Sequence, residues 1–209
     1  MPGPAITTIV DYGMGNLRSV ERALTAVGGP SRISGDPEVV RKSDRLVLPG
    51  VGAFGDAMGN LKRAGLDAAI LEAAGAETPL LGLCLGLQLL FCGSEEFGAH
   101  EGLGLIPGSV RKFEEPGLRV PHVGWNQIRD VRPDPLLRNI PEGSYFYFVH
   151  SYYVVAESDS DILCCTDYGR SFCSVARRGN VRGAQFHPEK SQEAGRRLLR
   201  NFLAIRQGE

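Results

Sequence analysis

The chain reads as an α/β protein with a largely parallel central sheet and a β-rich second half. Three observations predict this. Strand-like and helix-like segments alternate over the first half. The run Pro79-Leu80-Leu81-Gly82-Leu83 is apolar without a break, as a central parallel strand covered on both faces must be. Beyond residue 108 the texture changes to closely spaced β-type segments. Alternation of strands with helices implies right-handed crossovers onto one sheet, and the second half is expected to add a mixed or antiparallel extension.

Taken in order, residues 6–10 are an apolar strand. Leu17, Val20, Leu24 and Val27 recur at helical spacing, and Gly28-Gly29 ends that helix. A second strand near residues 31–33 leads through Asp36-Pro37 into a short helix, and residues 46–48 are a third strand. Helical stretches at 56–63 and 66–74 precede the central strand at 80–83. The second half offers strands at 110–113, 125–131, 145–155, 162–165, 172–177 and 181–186. A closing helix over 192–205 places Leu198, Leu199, Phe202 and Ile205 on one face.

Residues 1–209 suit a single domain that buries roughly 70% of the surface its unfolded chain would expose, which leaves no room for a second catalytic domain. No repeat or Pro/Ser-rich linker divides it. With a net charge of −1, no global basic field for nucleic acid exists, so no nucleic-acid partner is expected. The start, Met1-Pro-Gly-Pro-Ala5, lacks a basic region, and the apolar stretch after it is too short for a signal peptide or membrane span. A cytoplasmic protein with no membrane partner is expected. Five cysteines without CxxC spacing argue against a disulfide framework and a zinc site. No metal or cofactor is expected. Cys164 and Cys165, adjacent in a strand, should face opposite ways, and with Cys92 and Cys173 they read as small core residues.

Cys84 differs from these four. Gly82-Leu83-Cys84-Leu85-Gly86 sits where the buried strand gives way to Leu85, Gln88, Leu89 and Leu90 at helical spacing. Strand, sharp turn and helix are the setting of a nucleophile elbow, whose flanking glycines avoid collisions across the turn. The turn also puts the thiol at a helix N-terminus, which favours the thiolate. The plain alternative is a buried cysteine in a glycine-rich turn. A thiolate needs a base, and His100, His122, His150 and His187 are available. In His187-Pro188-Glu189, residues i and i+2 of an extended segment point to one side, so Glu189 can hold Nδ1–H and leave Nε2 for the thiol. Taken alone, that tripeptide at a strand end is more often a turn than a catalytic pair. Pro49-Gly50-Val51-Gly52 follows the third strand and can aim main-chain N–H groups at an oxyanion in the crevice shared by parallel strand ends. A simple tight turn fits it equally well.

Together these residues resemble the class I, triad-type glutamine amidotransferases. The GLCLG elbow, the QFHPEKS segment at 185–191 and the PGVG loop match that family's pattern in chain order. VDYGMGN at 10–16, LPGVGAFG at 48–55, GLGLIPG at 102–108, PHVGWN at 121–126 and YFVHSYY at 147–153 are similar to one branch of it. That branch supplies the glutaminase subunits of imidazole glycerol phosphate synthase, and the resemblance spans nearly the whole chain.

What the resemblance implies is a flavodoxin-like, three-layer α/β/α fold and a triad of Cys84, His187 and Glu189. It also implies that Gln88 and Glu96 help hold L-glutamine, with Gly52 and the backbone near Ser151 and Tyr152 lining the same site. From the residues alone, Glu95-Glu96 reads as a solvated loop pair, and Gln88 among leucines reads as facing a cavity. The implied partner is a cyclase subunit, a (β/α)₈ barrel, in a heterodimer serving histidine biosynthesis. Met14, Asn16, Trp125 and Lys190 flank the site as a candidate docking face. A lone Trp such as Trp125 is as often core as interface. Asn16 after Gly13-Met14-Gly15 also suggests a phosphate loop, but the GxGxxG pattern is incomplete. The glycines around Val51 would permit a partner to reorient that peptide. Other amidotransferase subunits, a non-catalytic relative and a cysteine hydrolase are the competing readings.

Overall fold

The computed structural model describes residues 5–208. The reading of residues 1–5 as lacking a basic region thus lies almost wholly outside the described residues. In the first half the segments fall where periodicity puts them: β1 (Thr7–Val10), α1 (Leu17–Ala26), β2 (Ser31–Ser34), α2 (Pro37–Arg41), β3 (Arg45–Gly50), α3 (Phe54–Arg63), α4 (Leu66–Gly75), β4 (Leu80–Cys84) and α5 (Leu85–Leu89). Asp36 accepts from the Glu38 amide and Pro37 opens α2, a cap and a first residue suited to a helix start. The second half contains β5 (Phe91–Ser94), β6 (His100–Glu101), β7 (Ile106–Lys112), β8 (His122–Gln127), β9 (Tyr145–His150), β10 (Tyr152–Ala156), β11 (Ile162–Tyr168), β12 (Arg170–Arg178), β13 (Val181–Ala184) and α6 (Gln192–Ala204).

Among the described residues, eleven strands form one sheet in the order β2-β1-β3-β4-β13-β12-β10-β7-β5-β6, with β11 on β12. From β2 to β13 all pairings are parallel, and β12 and β10 then add antiparallel pairings. Side chains leaving the parallel strands alternate between two apolar layers. Ile9, Val47 and Leu81 pack with Leu24 of α1 and Leu198 and Phe202 of α6. Val10, Leu46, Leu48 and Leu80 pack with Val40 of α2, Leu61 of α3 and Ile70 of α4. The sheet is therefore covered on both faces, which is why its strands read as unbroken apolar runs.

Several expectations need correction. The stretch 145–155 is two strands, broken at Ser151, and β9 leaves the main sheet to pair with β8 in a two-stranded ribbon. The strand expected at 125–131 runs from His122 to Gln127 instead. β5 and β6 were unexpected, because Phe91 follows the apolar helix run with no turn residue between. β3 continues through Pro49 and Gly50, with Gly50 in register with Cys84, so the glycine loop begins only at Val51. Cys164 and Cys173 are buried, but Cys92 is exposed and Cys165 half-buried, so only two of the four fill the core. Among the described residues, no helix is long and apolar enough to cross a membrane.

Candidate active site

β4 ends at Cys84 and α5 begins at the next residue, so the chain must reverse with no spacer. Cys84 absorbs the reversal with φ 53° and ψ −109°, a left-handed backbone that costs a non-glycine residue on the order of 1–3 kcal/mol. Its flanks must be glycine. A Cβ on Gly86 would lie 1.8 Å from the Leu48 carbonyl oxygen, and one on Gly82 would lie 2.6 Å from the Gly86 carbonyl oxygen. The thiol is held at the apex of the turn. It donates toward the Val149 carbonyl at 3.7 Å and accepts from Gln185 Nε2 at 3.7 Å.

β13 runs parallel to β4, with Ala184 opposite Leu83, and so carries the chain to His187 beside the elbow. The His187 amide donates to the Tyr147 carbonyl, while Ser191 Oγ donates to the His187 carbonyl at 2.6 Å and accepts from the Tyr147 amide at 3.0 Å. The extended His-Pro-Glu geometry expected from sequence is replaced by a single 3-10 turn over Pro188–Lys190, because proline suits the first position of a helical turn. The side-chain contact survives the change: His187 Nδ1 donates to Glu189 Oε1 at 2.8 Å. His187 Nε2 is buried and makes no hydrogen bond among the described residues. Burial opposes the imidazolium, but interaction with Cys84 and Glu189 outweighs it and raises the His187 pKa to about 9. The imidazole is therefore held protonated beside Cys84 at neutral pH.

Cys84 and His187 open into a cavity of about 340 Å³, a volume suited to a small ligand. Val51 and Gly52 border it on one side, and Gln88, Glu96, Ser151 and Tyr152 on another. Gln88 Nε2 donates to the Tyr152 carbonyl at 3.0 Å and to Gln185 Oε1 at 3.2 Å. With both amide protons engaged, the Gln88 oxygen is left to meet a donor. Glu96 is buried, which corrects the solvated-pair reading; only Glu95 is exposed, paired with Arg111. Glu96 Oε2 accepts from the Phe54 amide, the first residue of α3, at 2.6 Å, where the helix end stabilises the carboxylate. Such a fixed anion suits a ligand's ammonium group.

Gly50 is carried beside Cys84 by strand register, and Gly52, at φ 97°, turns the chain out of the sheet. Met14 packs over Gly52, where a Cβ would come within 2.7 Å of Met14 Cε. Lys190 is exposed with Nζ 5.6 Å from the centre of the Tyr147 ring, Asn16 is exposed at the start of α1, and Trp125 is half-exposed rather than core. Among the other histidines, His100 packs against Gly55 and away from the cavity, while His122 and His150 form a buried pair. Sequence reasoning missed Tyr12, whose hydroxyl donates to the Pro49 carbonyl at 2.8 Å and whose ionisation is suppressed by burial and by Cys84. It also missed His150, which borders the cavity. These contacts join residues far apart in sequence, and no local spacing announces them.

The family Glutamine amidotransferase class-I matches residues 8–205. The chain is similar to the protein named imidazole glycerol phosphate synthase subunit HisH of Syntrophotalea carbinolica, with 53% identity over 93% of this chain and 97% of that one. Proteins of the same name from Moorella thermoacetica and Salinibacter ruber are 52% and 50% identical, over 93% and 96% of this chain and 92% and 94% of theirs. Among solved structures, PurLQS from Thermotoga maritima superimposes with a TM-score of 0.77 at 20% identity, over 96% of this chain and 98% of that one, a likeness of fold alone. A match this long, on a chain whose strand order and elbow are those described above, settles the family: the chain belongs to the class I glutamine amidotransferases.

Proposed function

We infer that this chain is the glutaminase subunit of imidazole glycerol phosphate synthase, hydrolysing glutamine and passing the ammonia to a cyclase subunit. The observation that carries the reading is identity near one half over nearly the full length of relatives so named. The geometry supports a division of labour for the chemistry. The Cys84 thiolate attacks the carboxamide carbon of glutamine, and the oxyanion is met by main-chain N–H groups of the Gly50, Val51 and Gly52 segment and of the elbow. His187, held by Glu189, gives its proton to the departing ammonia, leaving a thioester on Cys84. Water, deprotonated by the same imidazole, then cleaves the thioester to glutamate. Glu96 holds the ammonium group of glutamine, and Gln88 with the Ser151 and Tyr152 backbone holds the rest of its amino-acid end.

Ammonia released into water becomes ammonium, a poor nucleophile, so the reaction is useful where an acceptor enzyme is docked against the site. The relatives are named as subunits, which fits such an arrangement. The acceptor proposed here is a (β/α)₈ barrel cyclase in the cytoplasm. It uses the ammonia on a phosphoribosylated aminoimidazole intermediate to yield imidazole glycerol phosphate and an aminoimidazole carboxamide ribotide. Met14, Asn16, Trp125 and Lys190 are proposed to form the docking face.

Glutamate release, measured for the chain alone and then with the cyclase and its nucleotide ligand, tests the reading. Strong stimulation by the cyclase is expected, with release abolished by Cys84→Ala. Hydrolysis by Cys84→Ala at near the parental rate would overturn the assignment of the nucleophile, and absence of any stimulation would overturn the partner.

A further inference from the structure

His122 and His150 face each other across the β8–β9 ribbon, both buried, and the chemistry above uses neither. His122 Nδ1 lies 3.0 Å from His150 Nε2. His150 Nδ1 lies 2.8 Å from the Tyr152 carbonyl oxygen, and His122 Nε2 lies 3.3 Å from Asn126 Nδ2.

The hydrogen positions along this line follow from its two ends. A carbonyl only accepts, so His150 Nδ1 must carry its hydrogen. At the far end, Asn126 Nδ2 sits 2.9 Å from the Asp167 carbonyl, while Asn126 Oδ1 accepts from the Gln127 amide at 2.8 Å. Those two contacts fix which atom is the amide nitrogen. An amide nitrogen only donates, so His122 Nε2 is the bare nitrogen and His122 Nδ1 carries the hydrogen. The two deductions meet without conflict: His122 Nδ1–H donates to the lone pair of His150 Nε2. A further proton on either ring would set N–H against N–H. Burial acts the same way, lowering the pKa of His150 to about 3 and that of His122 to about 4.

The line ends where the substrate cavity begins. The Tyr152 carbonyl also accepts from Gln88 Nε2, so both its lone pairs are engaged and the turn at 150–152 is pinned from two sides. We propose that His122 and His150 are positioning residues: a one-way relay of neutral Nδ1–H imidazoles from Asn126 to the Tyr152 carbonyl sets the Gln88 amide and the 151–152 backbone for glutamine. This rests on the glutaminase reading. The relay ends on the Gln88 amide and the 151–152 backbone, the groups proposed to hold the amino-acid end of glutamine, so its loss weakens binding more than the chemical step.

The experiment is steady-state glutamine hydrolysis by the chain with its cyclase partner, together with the imidazole ¹⁵N spectrum of the chain. An Asn side chain can place its amide nitrogen where Nδ1 was, whereas Phe removes both ring nitrogens. His150→Phe is expected to raise KM for glutamine about tenfold with kcat within about twofold, and His150→Asn to recover most of the loss. His122→Phe is expected to leave His150 in its Nδ1–H tautomer on the Tyr152 carbonyl but to shift the resonance of its Nε2, which loses its donor, and to raise KM. His122→Asn should restore both. The relay is overturned by an Nε2–H His150 in the parent protein, by an unchanged KM in His150→Phe, or by Asn variants as impaired as the Phe ones. If His150→Phe fails to fold, the parent spectrum and the two Asn variants still decide. A parent chain that releases no glutamate would instead overturn the glutaminase reading.

Discussion

His187 holds its proton well past neutrality because its interactions with Cys84 and with the carboxylate of Glu189 outweigh the penalty of burial. The pKa of about 9 stands above the ordinary 6.5, so the sign is that of a raised histidine. Its contribution to folding stability is complete below pH 6.5 and is lost as pH rises through about 9. The same proton is the one proposed to go to departing ammonia, so hydrolysis should decline along an alkaline limb near pH 9. Glu189→Gln keeps an acceptor for Nδ1–H, seen at 2.8 Å in the parent, but removes the charge. The alkaline limb of kcat/KM for that variant should fall roughly one pH unit lower, with a lower maximum rate. A limb that stays in place would show that Glu189 does not set the protonation of His187.

At the scale of elements, the elbow depends on how closely α5 approaches β3. A Cβ on Gly86 would press into the Leu48 carbonyl oxygen at 1.8 Å, and neither the strand nor the buried helix can yield cheaply. Gly86→Ala should therefore destabilise the chain by about 3 kcal/mol, read as a lower denaturation midpoint, and an unchanged midpoint would contradict the packing described here. This contact also explains why the elbow was legible in the sequence: its geometry is local, and only glycine fits on either side of Cys84. The parallel strands were legible for a similar reason, since burial on both faces leaves an apolar run such as residues 80–83. The ribbon of β8 and β9 was not. Its alternation, with Phe146 and Phe148 inward and Tyr145 outward, is the same whether a strand joins the main sheet or leaves it, and Ser151 is no strong breaker. Likewise His187, Pro188 and Glu189 gave the right contact for the wrong backbone, because an i, i+2 approach is available to a 3-10 turn as well as to a strand.

For the whole molecule, the ribbon is the element whose two faces have different fates. Its inner face is buried through Phe146, Phe148, His122 and His150, whereas its outer face leaves Val123 56% exposed, Trp125 46% and Tyr145 55%. Trp125 and Tyr145 also border a surface hollow with residues 191–194, just past the turn that carries Glu189, and Tyr147 on the same strand carries Lys190 over its ring. Exposed aromatics grouped beside an active-site mouth are what a docked partner covers, and such an aromatic carries a large share of association energy. Trp125→Ala is therefore expected to weaken association with the proposed cyclase partner at least about tenfold, or about 1.4 kcal/mol, in a calorimetric titration. Leu71, an exposed apolar side chain on α4 in the helical layer, serves as the control. Leu71→Ala should leave the affinity unchanged. Equal affinities for the Trp125 variant and its parent would mean that the cyclase docks elsewhere, and an effect at Leu71 as large as that at Trp125 would move the docking face to the helices.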